Sequence, residues 1–140
     1  MEKVKTIPKP CFEPGQGFYK KEPAMPLISA DNIQKDYKTG EVTVRALKGL
    51  SFEIEPASFV SFIGPSGSGK TTLLNLIGCL DKPSDGKLTV ADTDVIHLDR
   101  KQSASFRGSN IGFIFQDFNL IPVLTVYENI ESPLLMVKTV

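Results

Sequence analysis

The stretch Gly64-Pro65-Ser66-Gly67-Ser68-Gly69-Lys70-Thr71-Thr72 decides the fold. It fits the pattern of Gly, four residues, then Gly-Lys-Ser/Thr. Immediately before it stands Phe59-Val60-Ser61-Phe62-Ile63, short, apolar and β-prone; immediately after it stands Leu73-Leu74-Asn75-Leu76-Ile77, with no Gly or Pro to stop a helix. Strand, glycine-rich loop and helix in that order predict a phosphate-binding loop. The residue types follow from the chemistry of a nucleoside triphosphate. Gly64, Gly67 and Gly69 carry no Cβ, so the backbone turns sharply and its N–H groups point inward at phosphate oxygens. The helix that begins near Gly69 adds unpaired N–H groups and the positive end of its dipole. Lys70 supplies a point charge for the β- and γ-phosphates, and Thr71 a hydroxyl for Mg²⁺. Pro65, Ser66, Ser68 and Thr72 complete the loop as nucleotide-binding positions.

Composition narrows the setting. The chain has 140 residues, room for one domain at most. At 41% apolar and 23% charged residues it has the balance of a globular protein that stays in water. Its formal net charge is zero and no long run of one sign occurs, which argues against nonspecific nucleic-acid binding as its task. Cys11 and Cys79 lie far apart and show neither metal-ligand spacing nor a disulfide framework, so a reducing cytosol is expected. No apolar run is long enough to span a membrane, and no hydrophobic segment follows the charged N-terminus as in a secretory signal.

Outward from the loop, residues 1–26 hold half of the ten prolines (Pro8, Pro10, Pro14, Pro23 and Pro26) and read as a mobile extension, with Met25 as an alternative start of translation. Leu27–Ile33, Val42–Leu47 and Leu50–Glu55 read as strands of an antiparallel sheet, with turns at 38–40 and at Lys48-Gly49. Beyond the loop helix, Asp81-Lys82-Pro83-Ser84-Asp85-Gly86 is a turn and Leu88-Thr89-Val90 a short strand. A weak helix is expected over 97–107. His97, the only histidine, reads as a solvated side chain. Ile111-Gly112-Phe113-Ile114-Phe115 has the look of a buried parallel strand ending at Gln116. Thr125 and Glu128 have capping-box spacing for a helix running to about Pro133.

The loop alone does not select a reaction. A guanine-reading Asn-Lys-x-Asp is absent, because Asp81-Lys82-Pro83-Ser84 lacks the second acid; nucleotide kinases stay open on pattern alone. The sequence beyond the loop resembles the nucleotide-binding domain of ATP-binding-cassette (ABC) transporters from about Leu27 to Leu135. The resemblance rests on Gly64 to Asn75, on Ile111-Gly112-Phe113-Ile114-Phe115-Gln116, and on Asp117-Phe118-Asn119-Leu120-Ile121-Pro122 followed by Leu124-Thr125-Val126 and Glu128-Asn129-Ile130. With Gly78-Cys79-Leu80-Asp81-Lys82-Pro83, it is most similar to the branch serving macrolide export and lipoprotein release.

The resemblance implies an α/β fold of the P-loop NTPase, ABC ATPase type. An N-terminal antiparallel β-subdomain precedes the loop, and residues 27–140 form the N-terminal part of an incomplete domain. The strand Phe59–Ile63 would then lack neighbours and leave an apolar edge uncovered. The resemblance also implies ATP and Mg²⁺ as ligands, Tyr37 as the aromatic that stacks on adenine, and Gln116 as the residue that touches Mg²⁺ and the attacking water. It places the contact with a transmembrane permease at Phe118–Pro122, and hence the protein on the cytoplasmic face of the cell membrane. Full-length family members dimerise across their ATP sites. The signature Leu-Ser-Gly-Gly-Gln, an Asp-Glu Walker B strand and a switch histidine do not follow Gln116, so ATP is expected to bind here without efficient hydrolysis. Val95-Ile96-His97-Leu98-Asp99 imitates Walker B only by chance. Two departures from the family pattern, Ala57 in Pro56-Ala57-Ser58 and Ala91-Asp92, put alanines where glycine-rich turns are usual; a positive φ at Ala57 would cost roughly 1–2 kcal/mol. A non-hydrolytic docking fragment and a part of a soluble ABC ATPase are the alternative readings.

Overall fold

Residue alternation on either side of the glycine-rich loop is resolved into antiparallel ladders. The computed structural model describes residues 3–6, 25–115 and 117–137, which fall into two units divided after His97. In the first unit the strands are β1 (Lys3–Thr6), β2 (Ile28–Thr39), β3 (Val42–Ile54), β4 (Val60–Ile63), β5 (Asp85–Val90) and β6 (Thr93–Asp94), with helix α1 (Lys70–Ile77) between β4 and β5. Four of the strands form a sheet in the order β3-β2-β5-β6, antiparallel throughout. This is the antiparallel subdomain expected from the sequence.

Two expected boundaries move. The β2–β3 hairpin closes with Thr39 opposite Val42, so its turn is Gly40-Glu41, with Gly40 at φ 62°. Lys48-Gly49 does not reverse the chain, and β3 runs through it as a single strand. The reason is local: Gly49 takes φ 90° beside Asn32, itself at φ 49°, within the part of the β2–β3 ladder where the register shifts. A Cβ at Gly49 would come within 2.6 Å of Asn32 Oδ1, so the irregularity that reads as a turn is a bulge closed by glycine.

The core of this unit follows from the same alternation. Ile33 from β2, Leu88 from β5, and Leu73 and Leu76 from α1 are fully buried, with Leu47, Ile54, Val90 and Val95 beside them. The i, i+3 spacing of Leu73 and Leu76 gives α1 one buried stripe, while Leu74 faces out. Phe52 of β3 meets Phe62 of β4 edge to face, with centroids 5.8 Å apart. β4 pairs antiparallel with β1, Lys3 opposite Ile63 and Thr6 opposite Val60. Part of the segment that reads as a mobile extension is thus a strand, and it covers one edge of β4; residues 7–24 lie outside the described residues.

The second unit holds helices α2 (Arg100–Asn110) and α3 (Val126–Val137). α2 begins later than the pattern predicts. Its N-cap is Asp99, whose carboxylate accepts from the Gln102 N–H at 2.8 Å while the Gln102 side chain accepts from the Asp99 N–H at 2.8 Å. At α3 the Thr125–Glu128 box is present: Glu128 Oε2 accepts from the Thr125 N–H at 2.8 Å and from its hydroxyl at 2.7 Å. These bonds, that from the N–H foremost, hold the Glu128 carboxyl below its ordinary value. α3 continues through Pro133 to Val137, although proline takes one N–H from the ladder and crowds the carbonyl of Asn129.

Ile111–Phe115 forms no strand, against expectation. Gly112, Phe113, Ile114 and Phe115 are exposed, and the Phe113 and Phe115 rings stack on each other at 5.6 Å. A parallel strand exists only through its neighbours, and among the described residues none is laddered to this run.

Candidate functional site

The end of β4 feeds the glycine-rich loop, and the loop feeds α1. Gly69 is the N-cap of α1, at φ 88°, a conformation that side chains rarely adopt. A Cβ there would also lie 2.8 Å from the Ala46 carbonyl oxygen and 2.8 Å from Leu47 Cδ2, so the loop is seated directly on β3. Gly69 offers no side-chain acceptor to the first turn, and that turn contains no acid. The first N–H groups of α1 and the positive end of its dipole are therefore left without compensation from the protein, which is the condition for holding an anion.

Residues 66–72 and Ala46 line a cleft of ≈ 510 Å³. Lys70 Nζ lies within the loop, donating to the Gly64 carbonyl at 2.8 Å, the Pro65 carbonyl at 2.7 Å and the Ser68 hydroxyl at 3.4 Å. The cation is thus held among the loop's own oxygens, on the side where the first turn of α1 also turns its charge. Thr71 is exposed on the same cleft and offers a hard oxygen of the kind Mg²⁺ takes. Of the loop positions, Ser66 through Thr72 line the cleft, while Gly64 and Pro65 meet Lys70 through their carbonyls. The structure does not add Tyr37 to the lining of that cleft, and Gln116 lies outside the described residues.

Tyr37 is on β2, 39% exposed, and its hydroxyl donates to Asp81 Oδ2 at 3.0 Å. The ammonium of Lys35, a buried charged group, sits 5.0 Å from the ring centroid. Lys35 Nζ also donates to Asp81 Oδ1 and to the Lys82 carbonyl, both at 2.6 Å. Burial pushes the Asp81 carboxyl up, but the hydrogen bonds from Lys35, the Lys82 N–H and Tyr37 outweigh it and hold the group below its ordinary value. Asp81 comes into reach through the exit of α1, where Cys79 at φ 54° turns the chain and the Asn75 carbonyl accepts from both Leu80 and Asp81 N–H. No motif in the sequence marks the pairing of Lys35 with Asp81. Their one signal is a lysine on an inward-facing position of a strand, which needs a partner acid.

Elsewhere, Val95 is buried and its N–H donates to the Leu88 carbonyl, while Asp99 caps α2; the Walker B imitation is structural. His97 is exposed, with Asp94 at 3.6 Å. In the second unit Phe118 is 91% exposed, and Leu120 and Ile121 are exposed as well. Their loop is tied by Asn129, whose side chain accepts from the Ile121 N–H and donates to the Ile121, Leu124 and Thr125 carbonyls.

A glycine-rich anion cradle between a strand and a helix, with its lysine inside, defines a P-loop nucleotide-binding protein. The chain belongs to the ABC transporter family, whose family model matches residues 47–139. It is 48% identical over 109 residues to the uncharacterized ABC transporter ATP-binding protein MJ0796 of Methanocaldococcus jannaschii, covering 78% of this chain and 46% of that protein. It is 46% identical over 110 residues to the macrolide export ATP-binding/permease protein MacB of Syntrophobacter fumaroxidans, covering 79% of this chain and 15% of that one. Among solved structures it resembles the dimeric post-hydrolysis state of the MJ0796 cassette bound to ADP and Pi, with a TM-score of 0.74 at 47% identity over 78% of this chain and 47% of that one. The fold is therefore the α/β fold of an ABC-type P-loop ATPase. The chain spans about half the length of the ATP-binding protein it matches. Among the described residues no helix is long and apolar enough to cross a membrane.

Proposed function

We propose that this chain is an ATP-binding component of an ABC transporter, holding ATP·Mg²⁺ on Gly64–Thr72. In the whole cassette, binding and hydrolysis would drive a membrane permease from the cytosolic side. The carrying observation is the uncompensated first turn of α1 with Lys70 inside its loop. In this reading the loop N–H groups and Lys70 bind the β- and γ-phosphates, and Tyr37 stacks on adenine. Thr71 and Gln116 would hold Mg²⁺, which when bound neutralises charge on the phosphate oxygens. Gln116 would also orient the attacking water.

The exposed Phe118, Leu120 and Ile121 suit a permease helix laid on an apolar surface, a contact that would put the protein at the inner face of the membrane. Among the described residues the cleft is lined by Ala46 and residues 66–72, none of them an acid that could activate water, so the chain by itself would bind ATP with turnover close to zero. Calorimetry with ATP·Mg²⁺ tests the binding half: saturable binding by a monodisperse sample, weakened about tenfold or more in Lys70→Ala, supports it, and no magnesium-dependent affinity overturns it. Steady ATP hydrolysis that disappears in Lys70→Ala overturns the turnover half.

A further inference from the structure

The cluster at the exit of α1 has a construction that packing alone does not require. Lys35 is 9% exposed, and an ammonium taken out of water to that degree is costly unless its partners are good. Its partners are two oxygens at 2.6 Å, Asp81 Oδ1 and the Lys82 carbonyl. The second oxygen of Asp81 accepts from the Tyr37 hydroxyl at 3.0 Å, and the same ammonium stands over the Tyr37 ring at 5.0 Å. The ring is thereby fixed twice, at its phenolic end by a carboxylate and at one face by a cation, yet it stays 39% exposed.

We propose that Asp81 and Lys35 are positioning residues for the nucleotide base: they hold the Tyr37 ring still, with Lys35 behind it, so that the opposite face receives adenine. The proposal rests on the reading of Tyr37 as the base-stacking aromatic. Its physical content is preorganisation. A loose tyrosine would lose side-chain freedom when a base settled on it, whereas a ring already held has little left to lose. The geometry also links the two ends of the ligand. Lys70 opens α1 and Asp81 follows its exit, so one eight-residue helix sets the spacing between the cation for the phosphates and the carboxylate that fixes the ring.

The test compares ATP·Mg²⁺ with magnesium tripolyphosphate, which carries phosphates and no base, by calorimetry on wild type, Tyr37→Phe, Asp81→Asn and the double variant. Tyr37→Phe removes one hydroxyl from a half-exposed ring, so folding is preserved. The expected result is an ATP affinity lowered about fivefold in each single variant, tripolyphosphate affinity within about twofold of wild type, and a double variant whose loss falls short of the product of the two single losses, because the two variants share the Tyr37–Asp81 bond. Unchanged ATP affinity in both single variants overturns the proposal. So does equal weakening of ATP and tripolyphosphate, which would mean general loosening. A wild type that binds ATP no more tightly than tripolyphosphate overturns the stacking reading itself, and a wild type that binds neither overturns the proposed function; the two failures are distinct.

Discussion

The ammonium nitrogen of Lys70 lies 2.8 Å from the carbonyl oxygen of Gly64, six residues earlier in the chain. The loop therefore curls around its own cation, and a ligand gains hold of Lys70 only by offering more negative charge than peptide carbonyls do. Affinity should fall in the order ATP, ADP, AMP. Lys70→Ala should weaken ATP about tenfold or more, the scale of a hydrogen bond to a charged group, with little change in far-ultraviolet circular dichroism. A full-strength Lys70→Ala would remove the lysine from the phosphate contacts.

The Asp81 carboxyl titrates below its ordinary value in the folded protein, held there by Lys35, Lys82 N–H and Tyr37 against its burial. The unfolded chain thus takes up the proton first as the pH drops. The stability this group contributes is complete above about pH 5 and is lost as the pH falls through the lowered folded-state value. Melting temperatures followed from about pH 7 to about pH 3 should show a decline that is shallower in Asp81→Asn. Parallel declines in the two proteins would mean that other carboxylates govern the acid limb.

Ala57 has φ 58°, so the turn before β4 holds an alanine in the left-handed region. Strain of roughly 1–2 kcal/mol is expected there, partly offset by the entropy that glycine would lose on folding. Ala57→Gly should stabilise by about 0.5–1 kcal/mol in urea unfolding, and Ala57→Val should destabilise, since a β-branched side chain tolerates this φ worst.

α1 has one buried stripe, and neighbouring leucines report it. Leu73 is fully buried and Leu74 is exposed. Leu73→Ala should cost about 2–5 kcal/mol, while Leu74→Ala should stay within about 0.5 kcal/mol. Equal costs in equilibrium unfolding would mean that the helix turns a different face to the sheet.

Local chemistry was legible where the signal lay in contiguous residues. The loop at 64–72, the antiparallel strands before it, the Thr125–Glu128 cap and the positive φ at Ala57 all follow from short-range pattern. The misreadings have a common cause. Ile111–Phe115 looks like a buried strand because apolar residues run together, but strands are made by partners, and a run of hydrophobic residues does not carry its partners with it. Lys48-Gly49 reads as a turn because glycine marks both turns and bulges, and only the facing Asn32 distinguishes them. Lys35 and Asp81 are 46 positions apart, so the ion pair that sets the Tyr37 ring exists only once the exit of α1 is folded.

Gly69 sits with its absent side chain pressed toward the Ala46 carbonyl. Any larger residue at 69 would have to lift the cradle off the strand or bend the strand away. The two pieces are therefore locked in joint inheritance: β3 cannot shift its backbone near Ala46 without disturbing a binding cleft built well downstream in the chain.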